Sequence, residues 1–193
     1  MIYIVRHGQT DWNLIKKTQG QLDIPLNETG RVEAQKSGEL LAGKNIDKII
    51  SSDLKRTVET AHIINRYLGV PIQFDERLRE LNYGSLQGRL NKEITPETWQ
   101  RFNHYPEEFQ SEDLQCFYAR VKSFFDDLDD SKNTLIVTHG GTIRMMMLYA
   151  RNHKSFERSE FVELYTTMKI KNASVFEWDR GNGEFQPVLM DGK

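Results

Sequence analysis

Two short apolar runs in this chain each stop abruptly on a histidine followed by glycine, and that pairing limits the folds open to it. Near the start, Ile2, Tyr3, Ile4 and Val5 form a β-branched and aromatic run of the kind that becomes a buried strand. It ends in Arg6-His7-Gly8. Far downstream, Asn133 to Thr138 is the clearest buried strand in the sequence, and it runs into His139-Gly140-Gly141. Core strands that end in charge and glycine deliver side chains to the carboxyl edge of a sheet, where open α/β folds bind ligands. A histidine at a strand tip, followed by two glycines opening a helix, is poorly explained by packing. After the first run, Thr10, Asp11 and Asn13 offer short polar groups that cap a helix or turn and hold an anion.

The remaining pattern alternates strands and helices. Asn27-Glu28-Thr29-Gly30 predicts a helix start, with the helix running to about Ala42. Ile46 to Ile50 predicts a strand, closed by Ser51-Ser52-Asp53-Leu54, and a helix from Lys55 to about Leu68 is stopped by Gly69. Pro71 to Phe74 reads as a third strand. Leu114 to Leu128 and Gly140 to about Ala150 read as helices, Met145, Met146 and Met147 being core packing. A short helix over Phe156 to Tyr165 and an alternating strand over Ile170 to Trp178 follow. Asn182-Gly183 then marks a hairpin to Phe185–Leu189. This order predicts an α/β fold, a three-layer α/β/α sandwich with a mostly parallel central sheet. Residues 89–111 mix Trp99, Phe102, Tyr105, Pro106 and Phe109 with polar residues, which predicts a small helical lid above the sheet edge. No repeat or linker divides the chain, so one domain over 1–193 is expected.

Composition narrows the partners. The net charge is -2 with no lysine-arginine block, so neither nucleic acid nor an anionic membrane surface is expected as a partner. A phosphate site would need its positive charge from a few converging arginines. The one cysteine, Cys116, rules out an internal disulfide and a thiolate metal cluster, and reads as packing in the helix that follows. The chain opens on strand-like residues without a basic leader, and no apolar run approaches the ~18 residues of a span. A cytoplasmic protein, monomer or homodimer, is the expectation. No metal or other cofactor is expected: a zinc cluster and a Walker loop are missing, and Lys122 stands where a Cys-x5-Arg loop would need arginine. Asp126-Asp127-Leu128-Asp129-Asp130 lacks the glycine and final glutamate of a calcium loop and reads as a solvated helix end.

The stretch Val5-Arg6-His7-Gly8-Gln9-Thr10 with Trp12-Asn13 resembles the signature of the histidine phosphatase superfamily, the phosphoglycerate-mutase-like enzymes, and specifically its short bacterial-type phosphatase branch. Later blocks agree in order: Gly20 to Gly30, Ser52 to Ala61 around Arg56, Leu78 to Gly88 around Glu80, Val137 to Gly141, and Asn172 to Val175. The resemblance implies a phosphomonoesterase that works through a covalent phosphohistidine on a small phosphorylated metabolite, with no cofactor. It assigns His7 as nucleophile, with its second ring nitrogen donating to a backbone carbonyl. Arg6 and Arg56 become phosphate-binding guanidinium groups, Glu80 the general acid and His139 a further phosphate donor. Thr10, Asn13 and Gly140 would complete the cradle, and the loop at Gln19 and Gly20 would pass over the substrate. Asn103 could face a substrate, whereas His104 reads as structural. The chain departs from its relatives at Ser111-Glu112-Asp113, where many carry Gly-Glu-Ser, although Glu112 keeps a candidate position. The short segment between Gly88 and Leu114 favours a phosphatase over a cofactor-dependent phosphoglycerate mutase. A phosphate-binding regulatory module with little turnover is the alternative of a different class.

Overall fold

The computed structural model describes residues 1–151 and 156–179, and the hairpin expected around 182–189 lies outside them. In chain order the elements are β1 (Ile2–Arg6), the one-turn α1 (Asp11–Leu14), α2 (Glu28–Leu41), β2 (Lys48–Ser51) and α3 (Lys55–Leu68). There follow β3 (Ile72–Phe74), α4 (Pro96–His104), α5 (Leu114–Asp126) and β4 (Thr134–Thr138). The last are α6 (Gly140–Arg151), α7 (Arg158–Thr167) and β5 (Val175–Trp178).

The strands form one sheet in the order β3-β2-β4-β1-β5, parallel except for the edge strand β5. A strand buried on both faces sorts its side chains at a period of two. In β1, Ile2 and Ile4 join one core cluster while Tyr3 and Val5 join the other. In β4, Ile136 goes to the first and Leu135 and Val137 to the second. The steps from β1 to β2 and from β2 to β3 run one way along the sheet and lay α2 and α3 on one face. The return from β3 to β4 runs the other way, and right-handed crossover puts α5 on the opposite face. Helices α6 and α7 join it there, giving the three layers expected.

Several expectations shift in detail. The alternation from Ile170 to Trp178 predicts a long strand, but only Val175–Trp178 pairs with β1. The reason is local: Ala173 adopts φ 54°, which breaks the extended backbone, and the Ala173 N–H donates to the His7 carbonyl. Cys116 is exposed, so it does not serve as packing; its neighbours Phe117 and Tyr118 take the buried face of α5. Met145, Met146 and Met147 are buried in the core as expected. The segment from 89 to 111 contains α4, two short 3-10 turns and an aromatic cluster of Trp99, Phe102 and Phe109 around Tyr83.

The start of α2 docks on the loop after β1 through two facing glycines. A Cβ on Gly30 would stand 2.1 Å from the Gln9 carbonyl oxygen, and one on Gly8 would stand 2.3 Å from the Gly30 oxygen. Backbone cannot yield there as a flexible side chain would. Gly30→Ala should therefore lower the unfolding free energy by roughly 1–3 kcal/mol, the usual cost of overpacking, as read from urea denaturation midpoints at unchanged slope.

Candidate active site

Register brings the two histidines together. Arg6 of β1 sits opposite Thr138 of β4, so His7 and His139, each one residue further on, emerge side by side at the carboxyl edge. Their ring centroids are 5.3 Å apart. The His7 backbone is held on both sides. Its N–H donates to the Thr138 carbonyl at 2.9 Å, and its own carbonyl accepts from Asn172 Nδ2 at 3.1 Å and from the Ala173 N–H at 3.2 Å.

The His7 ring is buried, with Nδ1 2.7 Å from the Gly8 carbonyl oxygen. A carbonyl can only accept, so Nδ1 carries the proton and Nε2 keeps its lone pair. Burial, and then the positive charges of Arg56 and Arg6, hold its pKa well below the ordinary histidine value. A neutral ring with a bare Nε2 is the nucleophilic form of an imidazole.

Arg56 is a buried cation and Arg6 a half-buried one, and both donate to carbonyl oxygens. Arg56, in the first turn of α3, donates from Nη1 to the Leu22 carbonyl at 2.8 Å and from Nη2 to the Gly20 carbonyl at 2.6 Å. Burial lowers its pKa to about 10, with nearby Glu80 acting in the opposite sense. Arg6 donates from Nη1 to the Ile170 carbonyl, and its buried Nε has no partner among the described residues. Part of the Arg56 fork thus ties down the loop through Gly20, rather than standing wholly free for a phosphate.

His139 is placed differently from the sequence expectation. Arg56 Nε lies 3.2 Å from its Nδ1, which must accept, so the proton sits on Nε2 and donates to Ser52 Oγ at 2.9 Å. Burial, then Arg56 and His7, push its pKa well below the usual value. With both nitrogens engaged and the ring fully buried, His139 does not line the open cavity. Ser52, at the end of β2, is the partner that sequence reasoning passed over; its position at a strand tip was the available signal.

Glu80 reaches the site from the loop after β3. Its Oε1 accepts from the Leu81 N–H and its Oε2 from the Gly141 N–H, both at 2.9 Å. Gly141 is required for this approach: a Cβ there would fall 2.2 Å from Glu80 Oε1. Beneath the loop, Arg120 donates to the carbonyls of Arg77, Arg79 and Glu80 and pairs through two nitrogens with Glu112. Glu112 Oε2 also accepts from the Asn82 N–H at 3.3 Å. Glu112 thus acts through Arg120 on the backbone that carries Glu80, a role that spacing alone did not disclose.

Arg6, His7, Asn13, Gln19, Gly20, Arg56 and Glu80 line one cavity of about 570 Å³. Thr10, His139 and Gly140 do not line it. Buried Thr10 caps α1: its hydroxyl accepts from the Asn13 N–H and donates to Gln19 Oε1, while its backbone N–H donates to Asn13 Oδ1, and so it supports two residues that do. Asn103 faces the cavity, whereas His104 is exposed and bonds back to the Gln100 carbonyl. The wall from α7, with Phe161, Val162 and Tyr165, was missed in the sequence. So was Arg144 of α6, buried and bonded to the carbonyls of Gly140, Leu164 and Met168. Among the described residues, no group of three or more His, Cys, Asp or Glu side chains could hold a metal ion.

The site sets a neutral imidazole beside two guanidinium groups, and sequence comparison gives the chain a family. The profile described as "Histidine phosphatase superfamily (branch 1)" matches residues 2–191, and the chain belongs to that superfamily. Among its relatives, Phosphoglycerate mutase-like protein 4 of Arabidopsis thaliana is 37% identical over 186 residues, covering 90% of this chain and 76% of the relative. An uncharacterized phosphatase, PhoE, of Bacillus subtilis (strain 168) is 38% identical over 148 residues, 76% of this chain and 75% of its own. A solved mycobacterial glucosyl-3-phosphoglycerate phosphatase complexed with VO3 superposes with a TM-score of 0.77 at 27% identity, over 90% of each chain.

Two predictions rest on this geometry. His7 and His139 are neutral when folded and take up protons near pH 6.5 when unfolded, so the unfolded state binds more protons below that pH. Stability should be flat above about pH 6.5 and fall below it, by up to ~1.4 kcal/mol per pH unit for each histidine. Urea denaturation at a series of pH values should show a shallower slope in the His7→Gln/His139→Gln protein. Separately, Arg120→Met leaves a largely buried Glu112 without its partner and should cost about 2–4 kcal/mol, with Glu112→Gln/Arg120→Met markedly less than additive. A double-mutant cycle on unfolding free energies reads this directly.

Proposed function

We propose that the protein is a metal-independent phosphomonoesterase that works through a phosphohistidine on His7, with the chain acting as one domain over residues 1–193. The observation that carries the reading is the bare Nε2 of a neutral His7, set beside the guanidinium groups of buried Arg56 and half-buried Arg6 in a cavity that Glu80 also lines. Catalysis of phosphoryl transfer is mostly positioning and charge stabilisation, and these residues supply both.

In the first step His7 Nε2 attacks phosphorus, a P–N bond forms and the ester P–O bond breaks. The Glu80 carboxyl gives its proton to the leaving alcohol oxygen. Arg6 and Arg56 hold the equatorial oxygens, Arg6 Nε being a buried donor with a hydrogen bond still to make. In the second step water gives Glu80 its proton as the oxygen attacks phosphorus, the P–N bond breaks and inorganic phosphate leaves with His7 neutral again. His139, behind the cavity wall, accepts from Arg56 Nε and so holds that guanidinium in place for the phosphate. Asn13 and Gln19 stand at the cavity wall as further hydrogen-bonding partners, with Gly20 shaping the loop.

The relatives' names, a mutase-like protein, a phosphatase PhoE and a glucosyl-3-phosphoglycerate phosphatase, support phosphoester chemistry and leave hydrolysis against mutation to experiment. The wild-type protein in chelator should release phosphate from small monoesters and, quenched during turnover, carry a phosphoryl group on the peptide containing His7. His7→Ala should lose turnover by at least about 10⁴-fold while keeping part of its phosphate affinity. Interconversion of phosphoglycerates without net release would favour the mutase. Phosphate binding with no turnover of any ester would favour a binding module.

A further inference from the structure

We propose that the substrate of this site is a small phosphate monoester whose alcohol carries an uncharged ring, held on an aromatic shelf beyond the phosphate; this rests on the phosphoesterase reading above. The cations that line the deep end, Arg6 and Arg56, are where a phosphate would sit, and the cavity continues outward between walls of a different character. Trp12, Tyr83, Trp99, Phe102, Phe161 and Tyr165 all line it. They come from four separate parts of the chain: the one-turn α1, the loop carrying Glu80, the lid helix α4, and α7.

These rings form a built surface. Tyr83 stacks on Phe102 with centroids 5.7 Å apart, and Trp99 meets both edge-on, at 6.1 Å from Tyr83 and 5.6 Å from Phe102. The Tyr83 and Tyr165 hydroxyls are 3.1 Å apart and join the lid side to α7. Burial pushes the Tyr83 hydroxyl well above the ordinary tyrosine range, so it stays neutral. Phe161 of α7 is buried and meets Phe117 edge-on, so its place in the wall is fixed by the core. Of the two lysines lining the cavity, Lys17 lays its ammonium over the Trp12 ring at 4.3 Å.

Size and chemistry together select the ligand body. A cavity of about 570 Å³ lies in the range of roughly 300–1,000 Å³ typical of whole small-molecule sites. A three-carbon acid bearing a phosphate would leave the exposed faces of Trp12, Trp99 and Tyr165 against water, Tyr83, Phe102 and Phe161 being buried behind them. A ring removes that wall from water and gains stacking. Asn103, at the lid end, can hydrogen-bond a polar substituent on the ring.

The test must separate ring recognition from leaving-group reactivity, because phenol esters are intrinsically faster. 2-Phenylethyl phosphate and ethyl phosphate are both esters of primary alcohols, and the comparison uses kcat/KM of the wild-type protein with 3-phosphoglycerate alongside. The phenylethyl ester should exceed the ethyl ester by about ten- to a hundredfold, and Trp99→Ala should shrink that ratio. Benzylphosphonate, which cannot be hydrolysed, should likewise bind more tightly than methylphosphonate, followed by tryptophan fluorescence. Equal kcat/KM for the two alkyl esters, or preference for 3-phosphoglycerate, overturns the proposal. So does hydrolysis confined to phosphotyrosine within a peptide. If no ester turns over, the phosphoesterase reading fails, and the two phosphonates alone decide the shelf: equal affinity overturns it, and tighter benzylphosphonate binding upholds it.

Discussion

Three arginines, Arg6, Arg56 and Arg144, are held out of water chiefly by carbonyl oxygens rather than by carboxylates, and much of the site's architecture follows from that choice. A carboxylate partner would neutralise a guanidinium and spend its geometry. Carbonyl dipoles satisfy N–H groups while leaving net positive charge in a low-dielectric place, where it acts at full strength on an incoming anion. The same charge suppresses protonation of both histidines and keeps them neutral. The bonds also bind the fold: Arg56 anchors the loop at Gly20 and Leu22, Arg6 the segment at Ile170, and Arg144 the end of α7. One set of residues thus assembles the cavity wall and charges it.

The carbonyl anchoring explains how much could be read from the sequence. The strands ending in His7 and His139 were legible because a buried parallel strand is a near-continuous apolar run, and an abrupt stop in charge and glycine stands out against it. The helices α2, α3 and α5 showed through caps and apolar spacing, and their ends moved by only a few residues. Arg6, His7, Arg56 and Glu80 converge as their positions implied. Ser52 and Asn172 stand in blocks that the sequence showed, but their bonds to His139 and to the His7 carbonyl, like those of Arg120 beneath the Glu80 loop, are tertiary contacts that no spacing rule announces.

The lid illustrates a second reason. Its aromatics were visible as residues, yet whether Trp99 and Phe102 faced a cavity or the core depended on α7, some sixty residues further on in the chain. Helix α7 itself reads from the sequence only as a short helix over Phe156 to Tyr165. Only the tertiary fold turns its Phe161 and Tyr165 toward Tyr83. Residues such as Cys116 and His104 show the converse: each looked informative as a residue type, and each sits at the surface away from the cavity.

The register of β1 has a consequence for how the protein is made. Strand β1 leaves the ribosome well before β4 and β5, its two neighbours among the described residues. Until Thr134–Thr138 have been synthesised, Ile2 to Val5 have no native strand beside them, and a nascent apolar strand is the kind of segment that invites wrong partners. The carbonyl of His7 waits longer still, for Asn172 and Ala173. His7 is therefore made long before the residues that lock its backbone, so the site stays incomplete until nearly all of the described chain has emerged.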